Sequence, residues 1–187
     1  MAWTPNAPYG VTEVAKTRWR AVPFTSGRGL DLGCGAQRLF DTEFVIGLDN
    51  GAASQLGQVV QANMQMDVKE LVAFAPNSWD YVFSSFLLQE FPHDAAHIVL
   101  RDWMRVVRPG GHLVLYLPDE ELAPKVSEPD RGIEADPNAH PMQRWNVNYD
   151  RVVEAMKKTH WSWDLVYFEK CSADDEYGLF FAFRKLK

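Results

Sequence analysis

The chain is 187 residues long, 47% hydrophobic and 24% charged, which fits one globular domain and excludes a disordered chain. Nineteen basic residues against 25 acidic ones leave a net charge of −6, the wrong sign for a protein whose main work is gripping nucleic-acid phosphates. Two cysteines, Cys34 and Cys171, are too few for a disulfide framework or a four-cysteine zinc site.

The start, Met1 to Pro8, lacks the basic flank and apolar run of a signal peptide. The longest apolar runs, such as Leu113 to Leu117, are about strand length, so a soluble, cytoplasmic protein with no membrane span is expected. Residues 1–10 read as an irregular arm. Residues 11–22 fit a short amphipathic helix with Val14, Arg18 and Trp19 on its inner face. Gly27 to Gly33 is a brief buried strand entering a glycine turn, Phe44 to Leu48 a second strand, and residues 61–66 a weaker third. Asp80 to Ser85 is the fourth strand.

Residues 93–107 form a helix whose apolar positions, Ala96, Leu100, Trp103, Met104 and Val107, recur at helical spacing. Arg108-Pro-Gly-Gly111 stops it before a fifth strand, His112 to Leu117. From Pro118 to about Asn146 the chain is polar, with four further prolines, and reads as a long loop of the kind that usually carries function. A helix over residues 152–158 and two aromatic strands, 161–171 and 178–184, complete the chain. Strand–helix alternation through residue 117 predicts an α/β fold: a doubly wound, mostly parallel seven-stranded sheet with helices on both faces and an antiparallel C-terminal hairpin. One domain of four parts is expected: arm and helix (1–26), ligand-binding half (27–117), long loop (118–150), and final helix with hairpin (151–187).

Ligands of such sheets lie at the carboxyl ends of the strands. There the sequence places Asp31-Leu-Gly-Cys-Gly35, whose glycines let backbone approach a ligand closely. After strand two comes Asp49, a carboxylate able to accept both ribose hydroxyls of an adenosine. Asp67 follows strand three, placed to accept from an exocyclic amino group, and Ser84 and Ser85 end strand four.

With these residues in order, the chain resembles the class I S-adenosylmethionine-dependent methyltransferases, firmly over residues 27–118. Leu30 to Gly35 is similar to the family's first motif and Gly47-Leu-Asp49 to its ribose motif. Met66-Asp67-Val68 resembles the adenine motif, in which the acid contacts the amino group and the next backbone N–H faces the ring. Trp79 to Ser85 resembles the fourth motif, and Arg105 to Gly111 the turn before strand five. The short gap from Gly35 to Asp49 and the Tyr116-Leu-Pro-Asp119 after strand five resemble a compact subgroup associated with polysaccharide and sugar modification.

The resemblance implies a Rossmann-like fold, S-adenosyl-L-methionine as cofactor, and cofactor contacts from Asp31, Gly33, Cys34, Gly35, Asp49, Asn50, Met66, Asp67, Val68, Ser84 and Ser85. It implies in-line methyl transfer to a small-molecule or glycan acceptor, with positioning supplying most of the effect. Gln37 stands where a third glycine is common, Asn50 where an apolar residue usually packs on adenine, and Leu88-Gln89-Glu90 where Leu-Glu-His is usual. Glu90, His93 and His140 are the candidate general bases.

Other readings of these residues are structural. Ser84 and Ser85 can cap a helix, Trp161 and Trp163 can pack a core, and Asp119-Glu-Glu121 can be a solvated loop. Trp145 and Tyr149, beside the long loop, serve equally as acceptor-pocket wall or core. His93 and His97 have metal-ligand spacing without a third ligand, so no metal is expected. A nicotinamide oxidoreductase is disfavoured, because Gly33-Cys-Gly35-Ala-Gln-Arg38 lacks the third glycine and no tyrosine has a lysine four residues on. Neither the Asn/Asp-Pro-Pro-Tyr/Phe signature of amino-group DNA methyltransferases nor the Pro-Cys of cytosine enzymes occurs, so nucleic acid is not the expected acceptor. A non-catalytic module that keeps the fold stays open as the alternative.

Overall fold

The structure, a computed structural model, describes residues 13–51, 59–173 and 175–187. The expected arm and the first residues of the expected helix 11–22 lie outside the described residues. Seven strands form one sheet: β1 (Gly29–Leu32), β2 (Val45–Asp49), β3 (Met64–Gln65), β4 (Trp79–Ser85), β5 (Val107–Pro118), β6 (Trp163–Cys171) and β7 (Gly178–Lys185). Their order is β3-β2-β1-β4-β5-β7-β6. The first five pair in parallel, and β7 inserts antiparallel between β5 and β6. The order reverses between β1 and β4, which makes the carboxyl ends of those two strands the switch point where such sheets hold ligands.

Helix α1 (Glu13–Ala21) covers one face, and α2 (Ala96–Val106) and α3 (Tyr149–Lys157) cover the other. The cores are unequal. The α2/α3 side buries Leu30, Leu32, Val82, Trp103, Phe181 and Phe183 among many others, whereas the α1 side gathers a smaller set around Leu39, Tyr81, Phe83 and Phe180.

Several local expectations need correction. Residues 33–44, between β1 and β2, are turns rather than a helix, and so is the chain from β3 to β4. Gly33 and Gly35 both hold left-handed backbones, φ +64° and +51°, and Leu39 and Phe40 are too few apolar groups to build a helix face. Trp19 is not on the inner face of α1: it is 64% exposed, while Thr17, Arg20 and Ala21 turn inward. Arg20 is held there by Glu176 and Glu169. α2 starts at Ala96, after a 3-10 turn over His93–Ala95 that follows Pro92. β5 starts at Val107, which pairs with Trp79 before a register shift at the Pro-Gly-Gly turn.

One buried cation ties the ends together. Lys185, the last residue of β7, donates from Nζ to the carbonyls of Met104 and Val107 and to Asn77 Oδ1, each at 2.8 Å. Its ammonium also lies 3.9 Å from the Trp161 ring centroid. The carbonyls at the C-terminus of α2 have no partner within the helix, and a cation there also meets the negative end of the helix dipole.

Candidate functional site

The glycine turn is anchored from both sides. Asp31, in β1, is buried and its Oδ2 accepts the Leu39 N–H at 2.6 Å. Burial pushes its carboxyl up to about 7 against that hydrogen bond. The N–H groups of Gly33 and Cys34 both donate to Leu48 O, at 2.8 and 3.2 Å, which stitches the turn to the end of β2. The Cys34 thiol is pushed up to about 12, first by burial and then by Asp31, so it stays protonated and is no nucleophile.

Asp49 ends β2 with its carboxylate aimed across the turn. Oδ2 accepts from Gly35 N at 3.0 Å and Oδ1 from Gly51 N at 2.7 Å. A carboxylate offers about four lone-pair directions, so each oxygen keeps capacity for a further donor. The carboxylate lines a cleft of about 210 Å³ together with Gly51, Val60, Ala62 and Gln65. Gln65 and Gly51 are site residues that sequence reasoning missed. The Gln65 amide donates to Asn50 O at 3.2 Å. Asn50 itself is exposed.

The remaining residues expected to hold cofactor are more dispersed. Met66 N–H donates to Asp49 O at 2.9 Å, and its side chain packs on the larger core. Val68 is buried, with its carbonyl accepting from Trp103 Nε1 at 2.7 Å. Asp67 is exposed and accepts the Lys69 N–H, and it does not line the cleft. At the end of β4, Ser84 is buried and its hydroxyl donates to Leu32 O at 3.4 Å. Ser85 Oγ is buried with no hydrogen-bond partner, an unmet polar group beside the switch point. Phe86 follows with φ +51°, a conformation that a bulky side chain adopts only when its surroundings force it. Its N–H donates to Tyr116 O at 2.7 Å, and its ring meets Tyr116 and Tyr177 edge-on.

The structure separates the three candidate bases. Glu90 closes a 3-10 turn, Leu88–Glu90, just beyond β4. Burial first, and then the Asp49 charge, push its carboxyl up to about 7, with Arg144 opposing. His93, in the 3-10 turn before α2, instead faces the long loop and the start of α3. It accepts from Arg151 Nε at 3.3 Å and packs on Trp145 with ring centroids 4.8 Å apart. Burial and Arg151 both lower its pKa. His140 lies within the loop, where its Nδ1 accepts from Met142 N and burial lowers its pKa.

The loop is irregular, as expected, but it is far from a loosely solvated strap. Arg151 joins Glu128, Arg131 bridges Glu120 and Glu128, and Asn146 accepts from Val126 N. Asp119 is buried and paired with Lys170 at 2.9 Å, so Asp119-Glu-Glu121 is not a plain solvated patch. Trp145 is fully buried, beneath the Arg151 guanidinium, and Tyr149 meets Phe168 edge-on and stacks on Phe181. Arg144 N donates to Gln89 O at 2.8 Å, which fastens the loop beside Glu90. No His/Cys/Asp/Glu group able to hold a metal ion is found among the described residues. No helix among them is long and apolar enough to cross a membrane.

Comparison with known proteins agrees with this geometry. Residues 30–115 match the family model described as a methyltransferase domain. A Mesorhizobium loti S-adenosylmethionine-dependent methyltransferase superposes with a TM-score of 0.63 at 16% identity, over 91% of this chain and 97% of that one. An Archaeoglobus fulgidus S-adenosylmethionine-dependent methyltransferase gives 0.63 at 15% identity, over 92% of each chain. A chain from the Haloferax volcanii complex between the Trm112 methyltransferase activator and a methyltransferase gives 0.63 at 17% identity, over 93% and 89%. No curated protein matches the sequence. The fold is thus the Rossmann-like methyltransferase fold, and the domain match implies S-adenosylmethionine as cofactor. The residues present fit it: an oriented carboxylate with spare acceptor capacity, a cleft beside it, and a glycine turn open to close approach.

Proposed function

We propose that the chain is an S-adenosylmethionine-dependent methyltransferase acting on a small-molecule or glycan acceptor. The observation that carries the reading is Asp49, held by Gly35 and Gly51 so that its carboxylate faces the cleft at the end of β2. In this reading Asp49 accepts the two ribose hydroxyls. Gly33, Cys34 and Gly35 give the methionine portion a backbone surface, with Asp31 acting through Leu39 to hold their turn in shape. Asn50, Met66, Asp67 and Val68 flank the adenine, and Ser84 and Ser85 border the switch point.

The bound cofactor supplies an electrophilic methyl group on a sulfonium. The chain's own task is to align the acceptor and to take a proton from it when it is a hydroxyl or an ammonium. Glu90 suits that task better than His93 or His140. Its carboxyl has a pKa near neutrality and sits close enough to Asp49 to feel its charge. His93 is already engaged by Arg151 and Trp145. The acceptor class is supported by the net charge of −6 and by the sequence likeness to the sugar-modifying subgroup.

Calorimetric titration with S-adenosylhomocysteine and S-adenosylmethionine tests the reading. Micromolar binding is expected, and Asp49→Ala should weaken it by about 2 kcal/mol, roughly thirtyfold, through loss of charge-assisted hydrogen bonds. A folded protein that binds neither compound would overturn the assignment and leave the non-catalytic module in its place.

A further inference from the structure

The outer edge of β6 is open. It is the last strand of the sheet, nine residues long and so about 30 Å, and nothing among the described residues pairs with its far side. A register shift against β7 at Val166 breaks the usual alternation. As a result three consecutive apolar residues, Val166, Tyr167 and Phe168, are each more than a third exposed. Such an edge is a template for another strand, and proteins usually guard it with prolines or several lysines. β6 has no proline and one lysine, Lys170, so the bulge is its main guard.

The exposed surface continues off the strand. Tyr167 meets the Phe24 ring at 5.5 Å, Arg20 pairs with Glu169 at 3.0 Å, and the Arg20 guanidinium lies 4.3 Å from the Trp19 ring. Trp19, more than half exposed, therefore flanks the same edge. Large aromatic side chains beside an open strand are the usual anchors of a protein interface.

We propose that this edge joins a second copy of the chain, β6 against β6 antiparallel, with the two-fold axis through Tyr167. That axis sets Val166 opposite the partner's Phe168 and Asp164 opposite the partner's Lys170. An axis through Glu169 would instead oppose two glutamates. Asp164 already pairs with Arg184, and Lys170 with Asp119 and Glu121. The new charge pair therefore fixes register more than strength. The arrangement is isologous and closed, so it yields a dimer rather than a fibre.

Sedimentation of the full chain at tens of micromolar should give twice the 21.3 kDa chain mass. Val166→Lys should halve that mass while keeping the wild-type circular dichroism and melting. Oxidation of Tyr167→Cys should give a disulfide-linked dimer at least tenfold faster than Glu154→Cys, an exposed position on α3 away from the edge, because the axis brings the two residues 167 face to face. A monomeric wild type overturns the proposal. So does a Val166→Lys variant that stays dimeric, or a Tyr167→Cys variant that cross-links no faster than its control; if Val166→Lys fails to fold, the cross-linking result decides.

Discussion

Strands β4, β5, β6 and β7 span seven, twelve, nine and eight residues, whereas β1, β2 and β3 span four, five and two. The long-stranded half has the two helices of the larger core and an unbroken seven-residue register between β5 and β7. The short-stranded half is held by turn hydrogen bonds: Gly33 and Cys34 on Leu48, Asp49 on Gly35 and Gly51, Asn63 on Gly47. The candidate cofactor cleft lies in the second kind of structure. Elements that must open for a ligand come from the low-stability end of a fold. Here that end is the half in which short buried strands lean on turn hydrogen bonds for the shape of the cleft.

Trp103 spans the two halves and offers the harshest way to break the contrast. Its ring is fully buried in the larger core, and its Nε1 holds Val68 O beside the adenine motif. Trp103→Ala should cost about 3–5 kcal/mol in chemical denaturation, and its hydrogen-exchange protection should fall first in residues 59–72. Uniform loss of protection would mean that the halves unfold as one unit. Lys185→Met acts only on the long-stranded half. It strands the carbonyls of Met104 and Val107 and should cost about 2–3 kcal/mol of stability, with S-adenosylhomocysteine affinity unchanged in titration. Reduced affinity in a folded Lys185→Met protein would show the cleft to be coupled to the far edge.

The same division separates what the sequence disclosed from what it hid. The strands, the mostly parallel sheet and the glycine turn were legible because buried parallel strands read as apolar runs and their carboxyl ends carry turn chemistry. Asp49 was legible for that reason. The absence of a helix after Gly35 was not, because a glycine turn after a strand ordinarily opens one. Gly51 was missed because it acts through its backbone N–H, and Gln65 because one polar residue on a two-residue strand makes no pattern. Trp145 read equally well as core or pocket wall, since only the Arg151 and His93 contacts place it inside. The polar network of residues 119–151 joins side chains up to 28 positions apart, as in Asn148 and Glu120, and no local pattern encodes such pairs.

Glu90 gives the finest test of the contrast, because its effect is confined to one pH window. Its carboxyl is raised from 4.5 to about 7, by burial first and Asp49 second. Between those values the folded chain keeps a proton that the unfolded chain has released. Stability therefore falls as pH rises from about 4.5 to about 7, and the full penalty stands above 7. Glu90→Gln removes this titration. After discounting for the carboxyl's partial exposure, the variant should exceed wild type by about 1 kcal/mol at pH 8 and match it near pH 4. Urea midpoints at the two pH values measure this. Asp31, also raised to about 7 by burial, loses stability in the same direction over the same window, so adding Asp31→Asn should flatten further the fall that Glu90→Gln leaves. Equal midpoints for Glu90→Gln and wild type at pH 8 would mean a solvated carboxylate with no stored penalty. A gain at pH 8 would show that the fold keeps Glu90 at a cost to its own stability, as expected of a group retained for proton transfer.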